Sequence, residues 1–233
     1  GDDEGEAVGL VAHVEVFDLA EVVAVDLPGE RVGRGDGHLG DVADVAEVDR
    51  VAVVVRSDDL DDVWLYDIAR RTWNRLTLEG NSNFPLWTAD GSSLMYNSDR
   101  SGGLEILSRR SDGSEPAETL VSKEFAPRIF PFSSSPDGVV AFVALRPAQD
   151  IWTVRPGTPP TPFVATPFVE GAPMFAPDGH AVAYVSSETG RNEIYLRPFP
   201  GPGEKIPVSS QGGNEPYWSP TGQELFYRAG DSM

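Results

Sequence analysis

The residues able to carry acid–base, nucleophilic or metal chemistry are few. Histidine occurs only at 13, 38 and 180, and cysteine is absent, which removes thiolate nucleophiles, thiolate metal sites and disulfides together. His180 follows Asp178-Gly179, a turn signature, and no second His or Cys stands at ligand spacing, so it reads as a solvated turn residue. A Ser-His-Asp triad would have to use His180, yet no Gly-x-Ser-x-Gly elbow is present. Gly230-Asp231-Ser232 recurs in hydrolase nucleophile motifs but has no partner here. The acidic run Asp58-Asp59-Leu60-Asp61-Asp62 offers oxygen ligands for calcium without the glycine-bearing loop of a tuned site, and reads as a solvated hairpin loop. Gly35-Asp36-Gly37-His38-Leu39-Gly40 has the spacing of a dinucleotide-binding loop. The segment after it lacks the amphipathic helix on which a pyrophosphate would rest. Arg34-Gly35-Asp36, a cell-adhesion tripeptide, is common by chance. No catalytic, cofactor or metal site emerges, and the chain reads as non-enzymatic.

Composition narrows the partners. The 233 residues carry a formal charge of −19, which disfavours nucleic acid, since phosphate recognition needs clustered Lys and Arg. No apolar run approaches the ~20 residues of a membrane-crossing helix, so no membrane insertion is expected. The remaining partner classes are a protein, a peptide or a small ligand. Charge is unevenly spread: residues 1–50 hold 14 Asp/Glu against three Arg, and Phe17 is their sole aromatic side chain. Built mostly from Gly, Asp, Glu, Ala and Val, this stretch supports two readings: an acidic low-complexity tail with weak structure, or a GC-rich gene translated out of frame.

After residue 50 the text changes to a repeat. Pro85-Leu86-Trp87-Thr88-Ala89-Asp90-Gly91, Pro173-Met174-Phe175-Ala176-Pro177-Asp178-Gly179 and Pro216-Tyr217-Trp218-Ser219-Pro220-Thr221-Gly222 are three copies of one motif. A looser copy, Pro131 to Gly138, has an extra residue after its proline and Ser134 in place of the aromatic. The turn glycines fall at 91, 138, 179 and 222. A second marker keeps the same beat at Val63-Trp64-Leu65-Tyr66, Glu105-Ile106-Leu107, Asp150-Ile151-Trp152-Thr153 and Glu193-Ile194-Tyr195-Leu196. A third closes each unit near Leu76, Leu120, Val164 and Val208. Each unit predicts four short strands, with glycine supplying the positive φ of the first turn and Leu94 and Tyr96 on one face, Met95 and Asn97 on the other. No long 3.6-residue stripe occurs, so no helix is expected. Antiparallel four-stranded units at this period are blades of an all-β propeller. The per-blade recurrence of Asp90, Asp137 and Asp178 fits turn formation, and that of Trp87, Phe175 and Trp218 fits packing between blades.

These motifs resemble the WD40-like β-propeller repeat family of the TolB type over residues 51–233. The run from Gly190 to Gly201, continuing through Asn214-Glu215-Pro216-Tyr217-Trp218 to Leu225-Phe226-Tyr227-Arg228, is similar to propellers attached to bacterial receptor-like serine/threonine kinases. The resemblance implies a sensor or protein-interaction module of a larger bacterial protein, on the extracytoplasmic side of the envelope. The alternative is the substrate-filtering propeller of a prolyl-oligopeptidase-type serine peptidase without its hydrolase domain. About four blades are present, with Val51–Arg56 reading as the second strand of a blade that lacks its first, so an incomplete ring with open edges is expected. In such propellers the strand before the Asp-Gly turn is innermost. Residues just before its proline would then approach the mouth of the central channel: Asn83 and Phe84, Phe130, Glu170 beside Gly171-Ala172, and Asn214 and Glu215. They differ from blade to blade, as a site for an asymmetric ligand requires.

Overall fold

The computed structural model describes residues 50–56 and 60–229. The acidic segment before Arg50, with the glycine loop and the Arg-Gly-Asp tripeptide, lies outside the described residues, as do Asp58, Asp59 and the Gly230-Asp231-Ser232 end. Every described element is a strand or a turn, and no helix is long and apolar enough to cross a membrane.

The strands form five antiparallel sheets in chain order. The first contains β1 (Arg50–Arg56), β2 (Asp61–Asp67) and β3 (Thr72–Arg75). Three four-stranded meanders follow. Blade B is β4 (Ser82–Trp87), β5 (Ser93–Ser98), β6 (Glu105–Arg110) and β7 (Glu118–Val121). Blade C is β8 (Ile129–Ser134), β9 (Val140–Leu145), β10 (Gln149–Val154) and β11 (Thr161–Val164). Blade D is β12 (Glu170–Phe175), β13 (Ala181–Ser186), β14 (Glu193–Pro198) and the short β15 (Ile206–Pro207). The last sheet is β16 (Asn214–Trp218) with β17 (Leu225–Arg228). The first sheet, here blade A, begins at the second-strand position: β1 pairs with β2 from Arg50↔Asp67 to Arg56↔Asp61. Among the described residues the sheets form an arc that does not close into a ring.

The turn glycines do what their spacing requires. Gly91, Gly138, Gly179 and Gly222 have φ between 65° and 82°, and each donates its N–H back to residue i−3, as Gly91 does to the Thr88 carbonyl at 2.8 Å. The turn aspartates tie the same loops. Asp90 accepts from the Thr88 hydroxyl at 2.7 Å and the Ser92 N–H at 3.0 Å, which holds its carboxyl down at about 2. Asp178 accepts from the His180 N–H at 2.9 Å.

The core lies between sheets. Leu94 and Tyr96 of β5 pack with Val63 and Leu65 of blade A, while Met95, on the opposite face, packs with Val140 and Phe142 of blade C. Asn97 shares that second face and donates to the Ile129 carbonyl at 3.2 Å. β9 repeats the arrangement: Phe142 and Ala144 face blade B, and Ala141 and Val143 join clusters with blade D. Middle strands are therefore buried on both faces, which is why β9 reads Val-Ala-Phe-Val-Ala-Leu without a polar alternation. Trp87 packs against the blade A–B cluster, Phe175 sits in the C–D cluster, and the Trp218 indole N–H reaches back to the Met174 carbonyl at 3.2 Å.

Candidate functional site at the mouth of the inner strands

The four inner strands β4, β8, β12 and β16 lie side by side, and each carries an X-Pro step. Proline offers no N–H to the ladder and bars its predecessor from the right-handed helical region. The register accordingly slips between Asn83 and Leu86, between Gly171 and Met174, and between Asn214 and Tyr217. At each slip the residue before proline adopts a left-handed backbone: Phe84 at φ 56°, Ala172 at 46° and Glu215 at 53°. Such a conformation costs a non-glycine residue about 1–3 kcal/mol. Three repeats hold it at the same step, and the surrounding sheet enforces it. The bulge re-aims these side chains away from the ladder.

They converge on a cavity of about 220 Å³, lined by Phe84, Pro85 and Leu86 of β4, Pro131 and Phe132 of β8, Ala172 and Met174 of β12, and Glu215, Pro216 and Tyr217 of β16. One carboxylate stands in an otherwise apolar and aromatic wall. Glu215 is exposed and accepts a two-pronged contact from Arg228, at 2.6 and 3.0 Å, across the β16–β17 pair.

Of the residues expected at the mouth, the structure brings Phe84 and Glu215 into this wall. Phe130 lies behind it, its ring edge-on to Phe84 with centroids 5.2 Å apart and the Arg128 guanidinium 5.4 Å above its face. Asn83 and Asn214 bind the preceding blade instead: Asn83 donates to Asp61, at the start of β2, at 3.4 Å, and Asn214 accepts from Asn192 at 2.8 Å. Glu170 does not face the mouth. It is 1% exposed, and one of its oxygens accepts from the Thr166 hydroxyl.

Phe132, Met174 and Tyr217 are lining residues that the pre-proline rule passes over. Phe132 had a signal in the sequence: the extra residue after Pro131 moves the slip of β8 to between Pro131 and Ser133, so the residue after proline is the one turned out, 36% exposed. The inserted length also buries Ser133, whose hydroxyl donates to the Pro173 carbonyl at 2.9 Å and accepts from the Phe175 N–H at 3.0 Å, joining blades C and D.

A larger cavity of about 830 Å³ lies between blades C and D at the Asp-Gly turn end, with Phe163 and Phe199 in its wall beside Arg155 and His180. It is built from two blades rather than four, and Arg155 is already engaged with Asp137. Among the described residues no group of three or more His, Cys, Asp or Glu is placed to hold a metal. Asp62, from the acidic run, is buried in a pair with Arg75 at 2.6 Å and accepts from Thr77 at 3.0 Å.

Meandering four-stranded blades and inner strands that carry a proline bulge give the chain the fold of a β-propeller, one it shares with solved TolB structures. The putative TolB of Agrobacterium tumefaciens superimposes with a TM-score of 0.65 at 23% identity, over 77% of this chain and 71% of that one. A propeller in the nidogen/laminin complex gives 0.61 at 13% identity, over 78% of this chain and 68% of that one. A puromycin-hydrolyzing peptidase of Mycobacterium tuberculosis gives 0.57 at 16% identity, over 71% of this chain but only 28% of the peptidase. No protein-family model matches the chain, and no curated protein sequence does.

Proposed function

We propose that the chain is a non-enzymatic binding module that takes a peptide segment of a partner protein at the mouth of its inner strands, as the sensor or interaction region of a larger bacterial protein. The observation that carries this reading is the mouth cavity itself. Its walls come from four blades, its lining differs at every blade, and it is apolar with one carboxylate at Glu215. Rings and prolines supply contact area with little side-chain entropy to lose, and the exposed Glu215 carboxylate, held in place by Arg228, fixes orientation; together they favour a segment with an apolar side chain and a basic residue beside it. The structural likeness to a propeller from the nidogen/laminin complex supports protein recognition as the class of task. The likeness to the peptidase keeps the second reading, a propeller that filters substrates for an attached hydrolase domain.

Selection of a displayed random-peptide library against the full 233-residue chain tests the proposal. Peptides pairing an apolar residue with Lys or Arg are expected, and Phe84→Asp is expected to weaken them by about tenfold or more, a loss of ~1.4 kcal/mol or greater. Glu215→Lys should reverse the charge preference. Peptides that bind wild type, Phe84→Asp and Glu215→Lys equally would place recognition elsewhere.

A further inference from the structure

Blades B and D repeat one arrangement on the face that meets the preceding blade. On β5 and β6 the register sets Leu94 opposite Arg109 and Tyr96 opposite Leu107. On β13 and β14 it sets Val182 opposite Arg197 and Tyr184 opposite Tyr195. Each arginine reaches back to a carbonyl of the preceding blade, Arg109 to Leu76 at 2.7 Å and Arg197 to Phe163 at 2.9 Å. The surroundings then differ. In blade D the Tyr184 and Tyr195 rings stack with centroids 5.9 Å apart, and Glu188, two residues after Ser186, pairs with Lys205. In blade B the smaller Leu107 stands at the Tyr195 step, and Arg100, two residues after Ser98, stands at the Glu188 step. A cavity of about 230 Å³ opens there between blades A and B, the space of roughly eight water molecules.

Arg100, Arg109 and Tyr96 all stand in its wall. Backbone of that wall holds both guanidinium groups in place: Arg109 donates to the Leu76 carbonyl beside Thr77, and Arg100 to the Ala117 carbonyl at 3.4 Å. The chain has 37 Asp and Glu against 18 Lys and Arg, yet Arg109 has no carboxylate partner among the described residues. Its Nε is buried without a hydrogen bond. Arg100 has Glu105 beside it, but at 3.8 Å, beyond hydrogen-bond reach. Tyr96 is 3% exposed, and its hydroxyl has no hydrogen-bond partner among the described residues. Burial pushes this phenol up while the Arg109 and Arg100 charges pull it back, so it keeps its proton at neutral pH and is a donor.

A half-buried guanidinium without a counter-ion is costly, and a buried phenol without an acceptor adds to the cost. One anion offsets both. A carboxylate suits the donors, since its two oxygens accept several N–H and O–H bonds at once. Leu78, Leu107, Pro116 and Ala117 make the rest of the wall largely apolar. Two glutamates limit the charge that enters: Glu79 is exposed in the wall, and Glu105 lies beside Arg100, so a second negative charge on the ligand is repelled. We propose that this cavity binds a monocarboxylate with a short apolar body, its carboxylate held by Arg100 and Arg109 and accepting from the Tyr96 hydroxyl. The same two glutamates disfavour a phosphate dianion. The site shares no wall residue with the mouth cavity and does not depend on what the mouth binds.

Titration of the full wild-type chain with isovalerate, followed by NMR of the arginine side chains and Tyr96, tests the proposal. Saturable shifts of the Arg100, Arg109 and Tyr96 signals are expected, with a Kd in the millimolar range or tighter. Isovaleramide, of the same shape but uncharged, and inorganic phosphate should each bind about tenfold more weakly or worse. Leu107→Tyr copies blade D and fills the cavity. Arg109→Gln keeps a donor for the Leu76 carbonyl and removes the charge. Each variant should weaken isovalerate by about tenfold or more. Shifts that grow linearly with isovalerate and never saturate would overturn the site. Isovaleramide binding as tightly would make the cavity a merely apolar pocket, and phosphate binding as tightly would make it a general anion site; either result sinks the proposal. Undiminished binding in Leu107→Tyr would place the carboxylate elsewhere. The wild-type comparison of isovalerate with isovaleramide decides even where a variant does not fold.

Discussion

Ala172 holds a left-handed backbone without a glycine's freedom and without the polar side chain that eases it for Asn or Asp. Glycine there relieves about 1–2 kcal/mol of strain in the folded chain and returns part of it by loosening the unfolded one. Ala172→Gly is therefore expected to stabilise the protein by about 0.5–1 kcal/mol in urea denaturation. Ala172→Val, whose β-branch tolerates positive φ still less, should destabilise it by at least as much. A glycine variant no more stable than wild type would mean that the sheet does not force this conformation. Phe84 and Glu215 share the conformation, but their larger side chains make up much of the cavity wall, so a substitution there changes strain and surface at once.

Among the elements, the joint between blades C and D is the one to probe. Ser133 satisfies a carbonyl and an N–H of β12 from β8, with its own side chain buried. Ser133→Ala strands the Phe175 N–H away from water, and an expected loss of about 1–3 kcal/mol follows from that desolvation. Cysteine, similar in size but a poorer hydrogen-bonding group, should fall between. Arginine staples tie two joints: Arg109 donates to the Leu76 carbonyl at 2.7 Å between blades A and B, and Arg197 to the Phe163 carbonyl at 2.9 Å between blades C and D. β10 has Val154 at the corresponding step, so the joint between blades B and C relies on the packed cluster around Ile129 and Phe142 and on the Asn97 and Ser134 hydrogen bonds across it. These elements were legible in the sequence because their signals are local. Turn glycines, the Pro-x-Trp step and β-branched runs each report on a few neighbouring residues. The two faces of β5 followed from simple alternation. What the sequence did not show was which mouth residues turn inward. The fate of Glu170 depends on Thr166 in the preceding loop, from whose hydroxyl it accepts, and that of Asn83 on Asp61 in the preceding blade. Phe132 was hidden by a one-residue insertion, whose effect on direction appears only once β8 and β9 are paired.

At the scale of the whole molecule, net charge is the quantity to vary. The 233-residue sequence carries a formal charge of −19, like charges within it repel one another, and salt screens that repulsion. The melting temperature at pH 7 is expected to rise between about 10 mM and 500 mM sodium chloride, over which the Debye length shortens from roughly 30 Å to under 10 Å. Because several ion pairs are exposed, such as Arg155–Asp137 and Arg228–Glu215, salt also weakens a stabilising contribution. These pairs are worth little individually, so the net direction should still be upward. A melting temperature that falls with salt would show that the pairs outweigh the repulsion.

The mouth is assembled from separate repeats, each giving two or three side chains on its own strand. Its chemistry is therefore modular by ancestry. A substitution at the Phe84 step alters one sector of the opening and leaves the sectors of β12 and β16 as they were. An internal duplication that adds a blade brings a ready-made sector with it, complete with its proline and its turned-out neighbour. New recognition in such a chain arises by editing one sector at a time, on a framework whose turns and joints need not change.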